Sequence, residues 1–444
     1  TTGQTLLWGC PRPAGGPKAR RREPLCDEGK SCRCRIRLTE GPILRPLLSF
    51  FFPILLGTFF QQLYNTVDAI IVGNYVGTAA LGAVGGSTAI IISFLVNLFV
   101  GVSSGATVVI AQHYGARQGE DVYEAVHTAV ALALAAGAVI TAAGIRFSGP
   151  ALRLMDTPEE VMDYAVVYLR VYFCGTAASF LYNIGASILR AVGDTRRPLW
   201  FLMAACLTNI VLDLFFVAVL GLSVFGAALA TVLSQVVSAV LVALSLLRPG
   251  SVYSVSPREV RFHREKLLAI LRIGLPAGIQ SNMYTVSNMV LQSRLNLFGT
   301  VTVAAYTAFE KIDGFYWMIS SAFGVSITTF VSQNFGAGKY QRLRQGVRAC
   351  LALTAGVSLG ISLVYCLAAP VLLRLFSPDG AVIALGTHMM WYISPFYLLF
   401  VCIEIFSGAA RRAGDALKPM LLTCGGVCVL RVVWVLVGSP ATRP

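Results

Sequence analysis

Charged residues are scarce in this chain. Lys, Arg, Asp and Glu together make up 13% of its 444 residues, whereas soluble globular domains carry about 25%. Hydrophobic residues account for 56%, and the mean hydropathy is +0.71. This balance excludes a water-soluble domain and indicates an integral membrane protein.

Histidine is rarer still, with His113, His127, His263 and His388 as the only four. No two of them have the spacing of the HExxH helix pair of zinc enzymes, and the chain has no Walker phosphate-binding sequence. The sequence therefore gives little support to a membrane enzyme. We expect a protein that is not an enzyme and carries no cofactor.

Residues 1–37 lack the apolar stretch of a secretory signal peptide. They contain Cys26, Cys32 and Cys34, but without the paired C-x-x-C units of a metal knuckle. We interpret residues 1–37 as a disordered tail or a non-native extension.

Two sets of apolar segments reach the roughly 20 residues that a helix needs to cross a bilayer. The first set lies near residues 46–72, 84–111, 124–148, 161–189, 198–220 and 223–247. The second lies near residues 268–298, 303–333, 349–373, 381–410 and 418–438. Because backbone amides in lipid must find partners within their own segment, these segments are predicted to be helices. The predicted fold class is an all-α polytopic membrane protein.

The two sets resemble copies of one another. Ala-Gln-His-Tyr-Gly-Ala at 111–116 returns as Ser-Gln-Asn-Phe-Gly-Ala at 332–337, 221 positions later, and Arg190 returns as Arg411 at the same offset. A register held over separated landmarks indicates duplication. Since the first copy has an even number of spans, both copies start on the same side of the membrane. Two six-helix lobes in a parallel pseudo-two-fold repeat are therefore predicted.

The repeat also divides the chain. Residues 38–248 form the predicted N-terminal lobe, 249–266 a cytoplasmic linker and 267–444 the C-terminal lobe. The counterpart of the span at 223–247 is expected at about residues 444–468, past the last residue of the chain. We therefore expect a truncated C-terminal lobe that lacks its twelfth helix.

Basic residues gather in alternate loops between the spans. They include Arg117, Arg196, Arg197, Arg258, Arg261, Lys339, Arg342, Arg411 and Lys418. By the positive-inside rule this side is cytoplasmic, and the N-terminus lies there too. Much of the net charge of +14 is thus a topology signal that does not require nucleic acid as a partner.

Polar side chains within the first-lobe spans mark a candidate site, because ionisable groups at bilayer depth are costly and usually functional. Asp68 lies in the first span, and Asn209 and Asp213 lie in the fifth, one turn apart on one helix face. Asn183 and Thr231 lie in the fourth and sixth spans, where hydrogen bonding between helices is an alternative role. Such oxygen ligands suit a hard cation, and the carboxylates also suit a proton.

The second lobe differs at these positions. The counterparts of Asp68, Asn209 and Asp213 are apolar, namely Val290, Leu430 and Trp434. A residue needed only to hold a duplicated fold together would be needed twice, so this asymmetry favours a dedicated site in the first lobe.

The second lobe has buried charges of its own. The counterpart of Asn183 is Glu404, which has no obvious sequence neighbour of opposite charge and is therefore a candidate contact for a cationic substrate. Asp313 is a second candidate, although Lys311 beside it offers a partner that would neutralise it.

Several motifs carry a family resemblance. Gln-Gln-Leu-Tyr-Asn-Thr-Val-Asp-Ala-Ile-Ile-Val-Gly at 61–73, the Ala-Gln-x-Tyr-Gly-Ala turn and the Arg-Ala-x-Gly-Asp-x-x-x-Pro connection at 190–198 resemble the multidrug and toxic compound extrusion (MATE) family. The chain is most similar to its DinF-like bacterial branch. The resemblance extends from about Leu38 to Val437.

The resemblance implies a multidrug exporter of organic cations in the bacterial plasma (inner) membrane, acting as a monomer and driven by inward flow of Na+ or H+. It implies a first-lobe cation site formed by Asp68, Asn183, Asn209, Asp213 and Thr231, which match the family pattern position by position. Ion binding there is expected to remove negative charge and bend or repack the first helix during alternating access.

Two other readings remain open. A flippase for lipid-linked precursors or polysaccharides has a similar architecture, but its pyrophosphate cargo favours several cationic residues at the central cavity. The first-lobe spans offer chiefly Arg170. A receptor or scaffold without transport does not explain carboxylates confined to one lobe.

Overall fold

The computed structural model describes residues 38–411 and 416–438, and within these ranges it contains helices and no strands. Nine of the described helices are long and apolar enough to cross a membrane, or ten if one bent pair counts as a single span. This confirms an all-α polytopic membrane protein. The predictions for residues 1–37 and for a helix past residue 438 lie outside the described residues.

The first lobe contains eight helices. They are α1 (Leu44–Tyr75), α2 (Thr78–Gly85), α3 (Ser87–Gly115), α4 (Gly119–Leu154), α5 (Glu159–Cys174), α6 (Thr176–Ala191), α7 (Arg196–Asp213) and α8 (Ser223–Leu246). The predicted span at 161–189 is a pair, α5 and α6, bent by 48°. A π-helical segment at Leu214–Val219 continues α7.

The predicted second lobe contains seven described helices. Its helices are α9 (Arg264–Leu295), α10 (Thr300–Gly336), α11 (Tyr340–Arg374), α12 (Gly380–Ile393), α13 (Tyr397–Ala410), α14 (Leu417–Thr423) and α15 (Leu430–Val433). π-helical segments at Cys424–Val429 and Trp434–Gly438 follow α14 and α15. Helix α9 has 32 residues but is absent from the nine apolar spans, because polar and charged residues interrupt its hydrophobic sequence.

Glycines let α3 of the first lobe lie directly against α9 of the second. A Cβ on Gly101 would collide with the backbone of Gly278, and one on Gly105 with the backbone at Ile270. Residues 101–105 spell Gly-Val-Ser-Ser-Gly, which matches the G-x-S-x-G pattern of hydrolases. That pattern needs a strand-to-helix turn to expose its serine, whereas here it lies inside α3, so its glycines serve helix packing.

The turns after α3 and α10 meet at one end of the bundle. A Cβ on Gly115 would collide with Gln333, and a Cβ on Gly336 would collide with Gln112, so the contact is reciprocal between the lobes. The loop after α6 joins them, since the Gln333 amide donates to the Ala191 carbonyl. We call this the basic end, because it contains the Arg- and Lys-rich loops.

Helix α1 completes the contact between the lobes near the basic end. Phe51 of α1 stacks on Phe323 of α10 with ring centroids 4.0 Å apart. Farther from the basic end, the Asn97 amide donates to the Thr285 hydroxyl over 3.1 Å. Beyond that point an apolar cavity of about 380 Å³ lies between α3 and α9, lined by Phe94 and Val290 among others.

Candidate coupling and substrate sites

The first-lobe carboxylates lie deep in the lobe. Asp68 lies in α1, seven residues before its end at Tyr75, and is 8% exposed. Asn209 and Asp213 lie one turn apart in the last two turns of α7 and are 1% and 0% exposed. The continuation of α7 as a π-helix begins directly after Asp213, and such segments are frequent at functional sites.

The structure brings these three side chains together. The Asp213 carboxyl faces both the Asp68 carboxyl and the Asn209 side chain. Both Asp213 oxygens, the Oδ1 atoms of Asp68 and Asn209 and the Nδ2 atom of Asn209 are buried without a hydrogen-bond partner among the described residues. A group of buried acceptors with few donors is unfavourable unless a cation or proton binds there.

Thr231 and Asn183 complete the predicted set in different ways. Thr231 is 6% exposed in α8, and its hydroxyl has no hydrogen-bond partner within the described part of the chain. Asn183 is half-buried in α6, and its amide donates to the Ser179 carbonyl in its own helix at 2.8 Å. Asn183 lines a cavity whose lining residues do not include Asp68 or Asp213.

That cavity has a volume of about 130 Å³ and lies between α1, α6, α7 and α8. Polar residues that line it include Gln61, Tyr64, Asn183 and Gln235. Arg190 also lines it and donates to Ser187 Oγ at 3.0 Å. Arg190 begins the motif at 190–198 that was interpreted as a connection, but it belongs to the last turn of α6 and lines this cavity.

Three tyrosines around the site were not predicted. Tyr168 is 5% exposed and lies within electrostatic reach of both Asp68 and Asp213. Tyr64 lies near Asp68 and Tyr172. Their signal in the sequence is weak, since tyrosines four residues apart on an apolar helix are more often core residues than site residues.

The composition of the cluster limits which ions fit. Among the described residues, no group of three or more His, Cys, Asp or Glu side chains is arranged to hold a metal ion. Two carboxylates with amide and hydroxyl oxygens form a hard, oxygen-only set. This chemistry suits an alkali cation or a proton better than a transition metal.

In the second lobe, Glu404 has a partner that the sequence analysis missed. Arg411 lies seven residues later, two turns along the same face, and acts electrostatically on the Glu404 carboxyl. The expectation that Glu404 has no neighbour of opposite charge is therefore wrong. The carboxyl lies directly over Gly324 of α10, where any side chain would collide with it, and Tyr284 of α9 is also close.

Asp313 lies in a cluster of aromatic residues. Its Oδ2 accepts a hydrogen bond from Trp317 Nε1 at 2.6 Å, and its Oδ1 accepts one from the Tyr397 hydroxyl. Tyr397 stacks on Tyr316 with ring centroids 3.9 Å apart. The suggested neutralisation by Lys311 does not occur, because residues two positions apart leave a helix in different directions and no ion pair joins them.

Comparison with known proteins places this architecture in a family. The family model described as MatE matches residues 53–215 and again residues 276–437. The chain belongs to the MATE family. Its two matches each cover one predicted lobe and together span most of the chain.

Relatives and solved structures agree with this membership. The chain is 29% identical over 393 residues to a probable multidrug resistance protein, YpnP, of Bacillus subtilis (strain 168), covering 88% of each chain. It is 22% identical over 405 residues to the multidrug export protein MepA of Staphylococcus aureus (strain MRSA252), covering 89% of this chain and 88% of that one. A crystal structure of MATE in complex with MaD3S has a TM-score of 0.85 at 25% identity, and the match covers 94% of this chain and 92% of that one.

Proposed function

We propose that this chain is a cation-coupled antiporter that exports organic cations and drug-like molecules by alternating access. The observation that carries this proposal is the buried pair Asp68 and Asp213. Three of their four carboxyl oxygens lack a hydrogen-bond partner among the described residues, and their counterparts in the second lobe are apolar. Membership of the MATE family supports multidrug efflux and does not favour the alternative of a lipid-linked precursor or polysaccharide flippase.

The coupling ion is Na+ or H+, bound at Asp68 and Asp213 with help from Asn209 and Thr231. Binding removes the repulsion between two adjacent carboxylates, and this favours one arrangement of α1 over another. An ion shifts the balance between two states only by the difference in its affinity for them. Asn183 contributes through the adjoining cavity, which reaches α1 at Pro53, where a proline already interrupts the helix.

The second lobe supplies the substrate contacts. Asp313 holds a negative charge among aromatic rings, and its two hydrogen-bond donors are neutral. Carboxylates and aromatic faces together attract organic cations. Glu404, partly compensated by Arg411, acts as a weaker second contact.

The basic end faces the cytoplasm, so the N-terminus is cytoplasmic and the protein lies in a bacterial plasma (inner) membrane as a monomer. The placement follows from the arginines and lysines in the loops at that end.

The proposal is tested by ethidium export from cells that produce the protein. We expect Asp68→Asn and Asp213→Asn each to reduce export to the level of cells without the transporter, because either change removes a charge that the ion must bind. Asp163→Asn, which alters an exposed acid on α5, serves as the matched control and retains export. Unimpaired export by Asp68→Asn or Asp213→Asn would contradict the coupling role.

The coupling ion is identified in membrane vesicles loaded with ethidium. A Na+ gradient without a pH gradient, and the reverse, are imposed separately. Export under one condition and not the other identifies the ion, and export under neither contradicts antiport.

A further inference from the structure

Three of the four histidines lie at one junction between the lobes. His113 is in the last turn of α3, His127 is two turns into α4, and His263 directly precedes α9. The chain between α8 and α9 passes all of them at the basic end. The proposed transport cycle gives these histidines no role.

His127 is fully buried, and both of its ring nitrogens have a hydrogen-bond partner. Its Nε2 accepts a hydrogen bond from the Ser256 backbone N–H at 3.0 Å, so that atom carries no proton. Its Nδ1 lies 2.8 Å from the Tyr123 carbonyl oxygen, which only accepts, so Nδ1 carries the proton. The Tyr123 ring packs against the His127 ring at an angle of 40°, and the Tyr123 hydroxyl donates to Glu259. A second proton on His127 would break the bond to Ser256.

His113 is held in the same way. Its Nε2 lies 3.2 Å from Lys266 Nζ, and an ammonium group only donates, so Nε2 accepts. Its Nδ1 lies 2.9 Å from the Gln118 side-chain oxygen and 4.0 Å from the Asp121 carboxylate. Lys266 is 8% exposed and also donates to Asp121 at 2.7 Å. A proton on Nε2 would place a second cation against Lys266.

His263 repeats the pattern. Its Nε2 accepts from Arg261 Nε at 3.2 Å. Its Nδ1 lies 3.2 Å from Thr128 Oγ1, and that oxygen accepts the His263 backbone N–H at 3.1 Å. In all three histidines, therefore, Nε2 accepts a hydrogen bond from a nitrogen.

Most of these bonds join the first lobe to α9 or to the segment before it. Lys266 of α9 bonds His113 of α3 and Asp121 of α4, His263 ahead of α9 bonds Thr128 of α4, and Ser256 of the linker bonds His127 of α4. The bond from Arg261 to His263 Nε2 is local, since these residues are two positions apart. The charged groups that face the histidines are Asp121, Glu124, Glu259, Arg261 and Lys266. The acids attract a proton to the junction, but each histidine can take it only at an atom that already accepts a hydrogen bond.

We propose that His113, His127 and His263 form a proton-binding site separate from the transmembrane carboxylates, and that its protonation releases the two lobes from each other at the basic end. We call these residues the histidine strap. When the histidines are neutral the strap is intact, and as the pH falls through the range in which histidine titrates its acceptor bonds are lost. Acid on this side therefore favours the state that is open at the basic end, whichever substrate the protein exports.

The test measures the distance between the lobes in the purified full chain in lipid nanodiscs. Probes are placed by genetically encoded amino acids, because the chain has eleven cysteines. Exposed positions Arg196 in the first lobe and Gln341 in the second report on the basic end. On lowering the pH from about 7.5 to about 5.5, we expect the fraction of molecules with a long distance to rise about threefold or more.

The matched variants replace histidine by glutamine, which accepts a hydrogen bond but does not titrate in this range. His113→Gln, His127→Gln and His263→Gln together are expected to abolish the pH response. His388→Gln alters the fourth histidine, which packs against Trp391 in α12, and leaves the response intact. All variants are measured in an Asp68→Asn, Asp213→Asn background as well, so that titration of the carboxylates does not contribute.

Three outcomes would overturn the proposal: no pH response in the original chain, an unchanged response in the triple variant, or a response that His388→Gln abolishes. If the triple variant does not fold, Lys266→Gln provides the second measurement. Because it removes the cation that opposes a proton on His113 Nε2, we expect its opening to begin at higher pH, and an unchanged midpoint would contradict the strap. The readout is a distance, so it stands whether or not ethidium export is found.

Discussion

Asp213 and Trp434 occupy equivalent positions in the two lobes, yet one is fully buried and the other is 75% exposed. Asn209 and Leu430 differ in the same way, at 1% and 64%. The first lobe turns this face of the helix inward against α1 and α8. In the described part of the second lobe, no counterpart of α8 lies against the same face. The lobes share the contact that each makes through a glycine at the end of a helix, Gly115 or Gly336. They differ in that the first lobe buries polar side chains at positions where the second lobe has apolar ones.

This difference separates positions needed by the fold from positions needed by the function. The reciprocal contact of Gly115 with Gln333 and of Gly336 with Gln112 serves both lobes alike. The unpaired oxygens around Asp213 reduce the stability of one lobe only. A cost borne by one lobe only is what we expect if these residues bind the proposed coupling ion.

The largest expected effect comes from making the first lobe resemble the second. Asp68→Val and Asn209→Leu introduce the residues that the second lobe has at these positions. We expect ion-driven ethidium export to fall at least about tenfold, since each step of 1.4 kcal/mol in ion affinity is a factor of ten. We also expect the free energy of unfolding of the ion-free protein to rise by about 1–3 kcal/mol, because unpaired buried polar groups are removed.

Vesicle export and thermal unfolding in the absence of the coupling ion measure the two effects. Val290→Ile, at the apolar counterpart of Asp68, is the control and changes neither. Loss of export together with loss of stability would show that Asp68 and Asn209 stabilise the fold. It would contradict the idea that the first lobe keeps these polar residues for function.

The next effect tests the shared part of the lobes. Gly115→Ala and Gly336→Ala each place a Cβ into the backbone of the opposite lobe. We expect each to destabilise the protein by about 1–3 kcal/mol, as overpacking does in other tight contacts. Because the contacts are reciprocal, the two losses are expected to be similar.

Thermal unfolding in nanodiscs measures both losses. Gly356→Ala is the control, since a Cβ there has no atom within 4 Å and alanine favours a helix. A large effect from one of the two turn glycines and none from the other would contradict the reciprocity.

The parts of the fold that the sequence predicts are those with local signals. Hydrophobic length indicates the helices, as the agreement between the span at 223–247 and α8 shows. The pairing of Asn209 with Asp213 follows from their spacing of four residues. Their approach to Asp68 was inferred from family resemblance and repeat asymmetry rather than from any local pattern.

The parts that the sequence misses depend on contacts between distant segments. His127 and Ser256 are 129 residues apart, and only the path of the chain between α8 and α9 brings them together. The break between α5 and α6 was missed because the apolar run continues across Gly175. Arg190 was assigned to a connection because the motif at 190–198 was interpreted as lying between helices. In the structure α6 extends into the start of that motif, so Arg190 is helical.

A smaller effect concerns the substrate contacts of the second lobe. Asp313→Asn keeps the shape of the side chain but removes its charge, and we expect the affinity for ethidium to fall about tenfold, which corresponds to about 1.4 kcal/mol. Ile91→Val, at the apolar counterpart in the first lobe, is expected to change affinity little. Equilibrium binding to the purified protein measures this, and equal losses at both positions would contradict a substrate contact specific to the second lobe.

The smallest expected effect concerns the segment that precedes the first helix of each lobe. In both lobes, a residue of the other lobe binds at this segment. Arg342, at the position equivalent to Asp121, donates to the carbonyl oxygens of Leu38, Glu40 and Gly41, the residues that precede α1. Arg342→Lys keeps the charge but cannot reproduce this fork, so we expect a loss of about 1 kcal/mol. Hydrogen exchange across residues 38–50 measures it.

The pH dependence of that loss distinguishes the Arg342 contact from the histidine strap. An arginine stays protonated throughout the range in which histidine titrates, so exchange at residues 38–50 is expected to respond to Arg342→Lys equally at about pH 7.5 and about pH 5.5. The histidine strap holds residues 256–268, so the protection factors of this segment, which are corrected for the slower intrinsic exchange at low pH, are expected to fall on acidification in the unmodified chain. If both segments loosen together on acidification, the basic end opens as one unit and the two contacts are not chemically distinct. If only the second does, duplication has produced two similar contacts of which one alone senses protons.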